Sequence, residues 1–186
     1  MKAYLISDLE FQTPLLEQVE SRVKAYLAPR GFDIEETRIG ERDLVFCKGC
    51  FGCWTKKPGE CTINDAMARI NHTAMNSDVV VYLSPVVFGQ FSANLKNAID
   101  RWLPNMLPFF MTRKDGSTMH PPRYDDYPAQ IMVGYADELS AADAQLFTDI
   151  NRNHRSRVEV MIYRGPETEV EAFLDQIELK REGGPL

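Results

Sequence analysis

Residues 78–83 read DVVVYL, three valines between an aspartate and a tyrosine–leucine pair. A β-branched run without polar alternation suits a strand covered on both faces, as at the centre of a parallel sheet. The flanking patterns agree with that placement. Upstream, Asn64 reads as the cap of a helix carrying Met67, Ile70 and Met75. Downstream, Phe91–Trp102 sets Leu95, Ala98, Ile99 and Trp102 on one helical side.

Further out the alternation continues. Lys2–Ser7 is a short apolar run that predicts a buried strand, and Thr13-Pro14 reads as an N-cap followed by a first-turn proline. Leu15, Leu16, Val19, Val23, Tyr26 and Leu27 follow at helical spacing until Pro29 to Gly31 ends the helix. Phe32–Ile39, Ala129–Tyr135 and Val158–Tyr163 predict three more strands. Ser140 starts a helix with Asp143 at capping-box distance, Glu167–Lys180 predicts a closing amphipathic helix, and Gly183–Leu186 a frayed tail. Strands interleaved with helices in this way specify a parallel sheet with helices on both faces. Such sheets bind ligands at the carboxyl ends of their strands, where the strand order switches.

The chain has 186 residues and 44% hydrophobic content, enough for one core, so residues 1–186 are expected to form a single domain. Its net charge is -6 and it has no basic block, which argues against nucleic acid or an anionic membrane as partner. No apolar stretch is long enough for a signal peptide or a membrane span, so the expected location is cytoplasmic. Residues 103–128 carry five prolines and no sustained period. The apolar Leu107, Phe109, Phe110 and Met111 in that irregular segment predict packing, preferentially against another subunit of a homodimer or homotetramer.

All four cysteines fall between residues 47 and 61, in the loop (46–62) after the second strand and so on the ligand-binding edge. Their spacing is C-x2-C-x2-C-x7-C, formed by Cys47, Cys50, Cys53 and Cys61. Thiolates packed this closely suit an iron–sulfur cluster better than zinc, which favours two separated C-x2-C knuckles; thiols that bind no metal are the third option. The turn Ser84, Pro85, Val86, Val87, Phe88 and Gly89 after the central strand could lie against a planar ligand or be an ordinary strand-to-helix connection. Asp100-Arg101 reads as a structural ion pair, and the three histidines form no ligand pattern. G-x-S-x-G, Walker A and G-x-G-x-x-G sequences are absent, which sets aside serine hydrolase, P-loop and classical dinucleotide folds.

Taken together, CKGCFGCW (47–54), PGECTINDAM (58–67), SPVVFG (84–89), SANLK (92–96) and Asp100-Arg101 resemble flavodoxin-like NAD(P)H-dependent FMN reductases and the iron–sulfur flavoproteins related to them. The resemblance implies a flavodoxin-like three-layer αβα sandwich with a five-stranded parallel sheet of order 2-1-3-4-5. It implies FMN, with Ser7 and Thr13 at the phosphate and Ser84 to Gly89 at the ring, and Trp54 and Phe88 as candidate walls. The flavin would carry the chemistry, leaving no catalytic side chain to name, and NAD(P)H or a protein donor would supply electrons. In the iron–sulfur branch Cys47, Cys50, Cys53 and Cys61 would hold a [4Fe-4S] cluster.

The sequence also departs from that family's pattern. The first loop reads SDLEFQT (7–13), with Asp8 and Glu10 where glycine and hydroxyl residues normally surround a phosphate. A carboxylate about 4 Å from a phosphate charge costs on the order of 1 kcal/mol in water and about 4 kcal/mol at an effective dielectric of about 20. Val87 replaces a common tyrosine, Ala66 a usual aspartate, and GYADEL (134–139) is acidic rather than glycine-rich. A second reading follows: a flavodoxin-like protein that has lost the phosphate site and binds a metal or a partner. A third keeps a less phosphate-dependent flavin such as riboflavin.

Overall fold

The computed structural model describes residues 1–154 and 158–183. Its centre is the valine run, extended at its carboxyl end to strand β3, Val79–Pro85, with all seven residues buried. Beside it lie β1 (Lys2–Asp8) and β2 (Asp33–Ile39) on one side, β7 (Ala129–Tyr135) and β8 (Val158–Tyr163) on the other. All four ladders are parallel, and the order β2-β1-β3-β7-β8 is the expected 2-1-3-4-5. The register pairs Ser7 with both Arg38 and Leu83, so the carboxyl ends of the three strands finish level.

Alternation along β1 divides the core. Ala3 and Leu5 pack with Leu16, Val19 and Val23 of helix α1 (Pro14–Leu27) and with Val170 and Leu174 of α6 (Val170–Leu174). Tyr4 and Ile6 face the opposite way. They pack with Met67, Ile70 and Ala74 of α3 (Met67–Met75), Leu95 and Ala98 of α4 (Ala93–Asp100), and Phe147 of α5 (Ala141–His154). The result is a flavodoxin-like αβα sandwich.

Two expected caps form. Thr13 Oγ1 accepts the N–H of Leu16 (3.3 Å), and Ser140 Oγ accepts the N–H of Asp143 (3.0 Å) while its hydroxyl donates back to Asp143 Oδ2 (2.7 Å). Other boundaries differ from the sequence pattern. Asp65, not Asn64, supports the start of α3, its Oδ1 accepting the N–H of Met67 (3.1 Å). α4 starts at Ala93, capped by Ser92 and two residues after the expected start, and past Asp100 the chain tightens into the turn Leu103–Asn105. α6 is a short helix, because Glu169 gives it no side-chain cap and only Val170 and Leu174 are buried.

The irregular segment contains a small ladder between β4 (Met111–Thr112) and β5 (Thr118–Met119). It also contains β6 (Asp126–Tyr127), which pairs with β9 (Glu182–Gly183). The expected frayed tail is therefore paired at Gly183, and the rest of it lies outside the described residues. A one-turn helix α2 (Gly52–Thr55) sits inside the cysteine loop. Among the described residues no helix is long and apolar enough to cross a membrane.

Candidate functional site

The strand order switches at β1 and β3. From β1 the chain crosses to α1 on one face of the sheet, and from β3 to α4 on the other. The ligand position expected of such a sheet therefore falls between loop 9–13 and loop 86–92.

Loop 9–13 engages most of its backbone amides within the fold. The N–H of Leu9 donates to Ile39 O (3.0 Å), that of Glu10 to Asp8 Oδ1 (2.9 Å), that of Phe11 to Asp8 O (3.4 Å) and that of Thr13 to Phe11 O (3.2 Å). Gln12 Nε2 donates to Asp8 O (2.7 Å), and Arg38 holds the Gln12 amide oxygen from outside. Pro14 has no N–H to offer at the start of α1, and Thr13 Oγ1 is engaged as the cap. Ser7 is buried in β1. Tyr135 donates from its hydroxyl to Phe11 O (3.3 Å), its phenol held above the usual range first by burial and then by the negative charges of Asp8 and Glu20.

Asp8 is the centre of this arrangement. It is 0% exposed, and Oδ1 also accepts from Asn94 Nδ2 (3.0 Å) of α4, so the bond spans the crevice. Oδ2 is buried with no hydrogen-bond partner. A phosphate needs donors, and here the amides of Leu9, Glu10, Phe11 and Thr13 already have acceptors and a carboxylate is fixed among them. These residues do not fit the phosphate of FMN.

Across the crevice the turn after β3 projects outward. Ser84 is fully buried and its hydroxyl donates to Pro85 O (2.9 Å); Pro85 and Val86 are also buried. Val86 N–H donates to Tyr135 O (2.8 Å), and Val87 and Gln90 exchange two backbone bonds (2.9 and 3.0 Å). Between them Phe88 (φ +51°) and Gly89 (φ +72°) are both left-handed, as a two-residue hairpin turn demands. A Cβ on Gly89 would lie 2.6 Å from the Leu146 side chain, so the turn rests closely on α5. Phe88 is 91% exposed. Of the six residues named for this loop, Val87 and Phe88 present side chains outward, and Gln90, which the sequence reading passed over, joins them.

The cysteine loop is held at its base and open at its tip. Arg101 is buried, and its guanidinium donates to the Asp65 carboxylate, to Val45 O (3.0 Å) and to Cys61 Sγ (3.3 Å). The ion pair expected within Asp100-Arg101 therefore forms otherwise: Asp100 pairs with Lys96, and Arg101 reaches into the loop. Adjacent residues on a helix end diverge by about 100°, which precludes a contact between them. Burial works to raise the Asp65 carboxyl, but Arg101 and the amides of Val45 and Met67 prevail and hold it below its usual range. Asn97 Nδ2 adds a bond to Leu44 O (3.1 Å).

Trp54 is anchored by the irregular segment. Its indole donates to Leu103 O (3.1 Å) and Met106 O (2.9 Å), and its ring stacks on Phe51 (5.3 Å) and tilts against His120 (4.9 Å). The irregular segment thus packs on the cysteine loop through Trp54 and His120, while Phe109 and Phe110 remain exposed. Cys47 and Cys50 are exposed, and Cys53 and Cys61 are half-buried. The Cys50 thiol is lowered by the Gly52 amide and then by Thr62; the Cys53 thiol is raised by burial and then by its three sister cysteines. Cys53 feels the charges of the other three, yet among the described residues no three metal-binding side chains converge on one point.

Residues 13–114 match the profile of the NADPH-dependent FMN reductases. The chain belongs to this family. Among curated relatives within reach is an iron-sulfur flavoprotein of Archaeoglobus fulgidus, 36% identical over 74 residues, covering 40% of this chain and 33% of that protein. An iron-sulfur flavoprotein of Methanocaldococcus jannaschii is 32% identical over 93 residues, 50% of this chain and 47% of that one. The chain thus spans a third to a half of the length of these relatives. Among solved structures, the NAD(P)H:quinone oxidoreductase from Methanothermobacter marburgensis superposes with a TM-score of 0.61 at 14% identity, over 95% of this chain and 92% of that one. An FMN-dependent NADH-azoreductase from Bacillus anthracis gives 0.59 at 11%, over 95% and 93%. At such identities these two establish the fold alone.

Proposed function

We propose that this FMN-reductase-family chain works as one flavodoxin-like unit and is a flavin-dependent oxidoreductase, taking electrons from NAD(P)H or a reduced protein. The observation that carries the proposal is the left-handed turn at Phe88 and Gly89, projecting from the end of β3 beside the switch point. When bound, flavin supplies hydride and electron transfer through its N5 position. The chain's part is to hold the ring. The Val87–Gln90 backbone and the exposed Phe88 phenyl offer it one side, and Tyr135, kept protonated, lies behind the turn.

The cysteine spacing and the iron-sulfur flavoprotein relatives support a [4Fe-4S] cluster on Cys47, Cys50, Cys53 and Cys61. That role requires the four sulfurs to be drawn together. Exposed Phe109 and Phe110 support a homo-oligomer. The closed loop after β1 favours a second reading, a flavodoxin-like module that binds a partner and no flavin.

The test is an anaerobic spectrum of the purified chain, followed by titration with riboflavin and FMN and then addition of NADH or NADPH. Bound flavin bands that bleach with either nucleotide are expected. No binding of either flavin at tens of micromolar overturns the oxidoreductase in favour of the module. Iron and acid-labile sulfide, measured on the same sample, decide the cluster.

A further inference from the structure

Asp8 stands where the sequence pattern leads one to expect glycine, and its carboxylate cannot turn away. It is enclosed, and Oδ1 is fixed by the backbone of Glu10 at 2.9 Å and the side chain of Asn94 at 3.0 Å. Both donors are neutral, so the negative charge of the carboxylate is not cancelled by them. Arg38, beside the same loop, is engaged by Gln12 and by Glu20 (3.2 Å). The second oxygen, Oδ2, is buried and lacks a donor. An ionised carboxylate only accepts hydrogen bonds, and so does a phosphate dianion. An alcohol donates.

We infer that Asp8 makes the end of β1 a seat for a hydroxyl donor in place of a phosphate, so that the flavin taken by this crevice is the uncharged, dephosphorylated form. This inference rests on the flavin function proposed above. The terminal hydroxyl of a ribityl chain, left when the phosphate is absent, supplies the donor that Oδ2 lacks. A phosphate brought to the same place would meet a fixed like charge, and the amides of Leu9, Glu10, Phe11 and Thr13 already have acceptors. Leu9, Glu10, Phe11 and Gln12 are all exposed, so the loop can shift outward to admit the chain end without dismantling the core.

The test compares riboflavin and FMN on the full chain by flavin fluorescence at constant ionic strength, in the wild type and in Asp8→Ser and Asp8→Asn. Thermal melting with and without inorganic phosphate is run alongside. Riboflavin is expected to bind the wild type at least tenfold more tightly than FMN. Asp8→Ser should narrow that ratio at least tenfold and acquire a phosphate-dependent rise in melting temperature that the wild type lacks. Asp8→Asn keeps the shape without the charge, so it should narrow the ratio too, and it decides the matter if the serine variant does not fold. FMN binding the wild type as tightly as riboflavin overturns the inference, as does a ratio unmoved in both variants. If neither flavin binds, the oxidoreductase proposal fails and the phosphate arm decides the seat. A melting shift that appears only once Asp8 is replaced supports the anion replacement, and no shift in any variant overturns it.

Discussion

The loops after β1 and after β2 leave the same edge of the sheet, and they reach stability by different routes. The first has only residues 9–13 to reach its helix, and the amides of Leu9, Glu10, Phe11 and Thr13 are satisfied by Ile39, Asp8 and Phe11. The second runs from Gly40 to Asp65 and is held by residues far away in sequence: Arg101 and Asn97 at its base, and the carbonyls of Leu103 and Met106 at Trp54. A short loop can close most of its backbone hydrogen bonds locally. A long one borrows them, and its tip, with Cys47 and Cys50, stays open. The first loop, whose distant partners Asn94 and Tyr135 add to bonds it already makes within itself, should therefore tolerate distant substitutions better than the second.

The sharpest way to break this contrast is Arg101→Met. It leaves Asp65 unpaired in a nearly enclosed position and should cost about 3–5 kcal/mol in urea unfolding. The thiols of Cys53 and Cys61 should then react faster with an aromatic disulfide reagent. A loss under about 1 kcal/mol would mean that the base of the loop is held by something else.

Acid should act on the same anchor. The Asp65 carboxyl sits below its ordinary 3.8 in the folded chain, so its contribution is present above that value and is lost as pH falls through the depressed one. Asp65→Asn should accordingly flatten the fall of stability below about pH 4, measured by urea unfolding at a series of pH values. An unchanged acid limb would count against the pairing.

On the local loop the effects are smaller. Thr13→Ala removes the cap that accepts the N–H of Leu16 and should cost about 1 kcal/mol, with thiol reactivity unchanged. Increased thiol reactivity would show that the two loops are coupled. Smallest, and opposite in sign, is Phe88→Asn. The two left-handed positions favour Asn-Gly, and the phenyl is exposed, so stability should rise by up to about 1 kcal/mol. Flavin affinity should fall in the same variant if the ring rests on Phe88.

Much of the fold was legible because it is local. The valine run placed β3, and Thr13 and Ser140 marked their helices correctly. Where a boundary or a role depended on a partner distant in sequence, the letters were insufficient. Arg101 finds Asp65 across the packed face rather than its neighbour Asp100. Trp54 looked suited to a flavin wall, yet two carbonyls of the irregular segment claim its indole. Asp8 was visible as an acid in the wrong loop. That it points inward follows from Asn94, which sits on a helix reached only after β3.

The bond from Asn94 to Asp8 also has a kinetic meaning. It joins the two sides of the crevice, so a ligand entering between the loops must wait for them to separate. Such a latch makes entry a gated event. The observed rate of binding should level off at high ligand concentration, at the frequency with which that one contact opens.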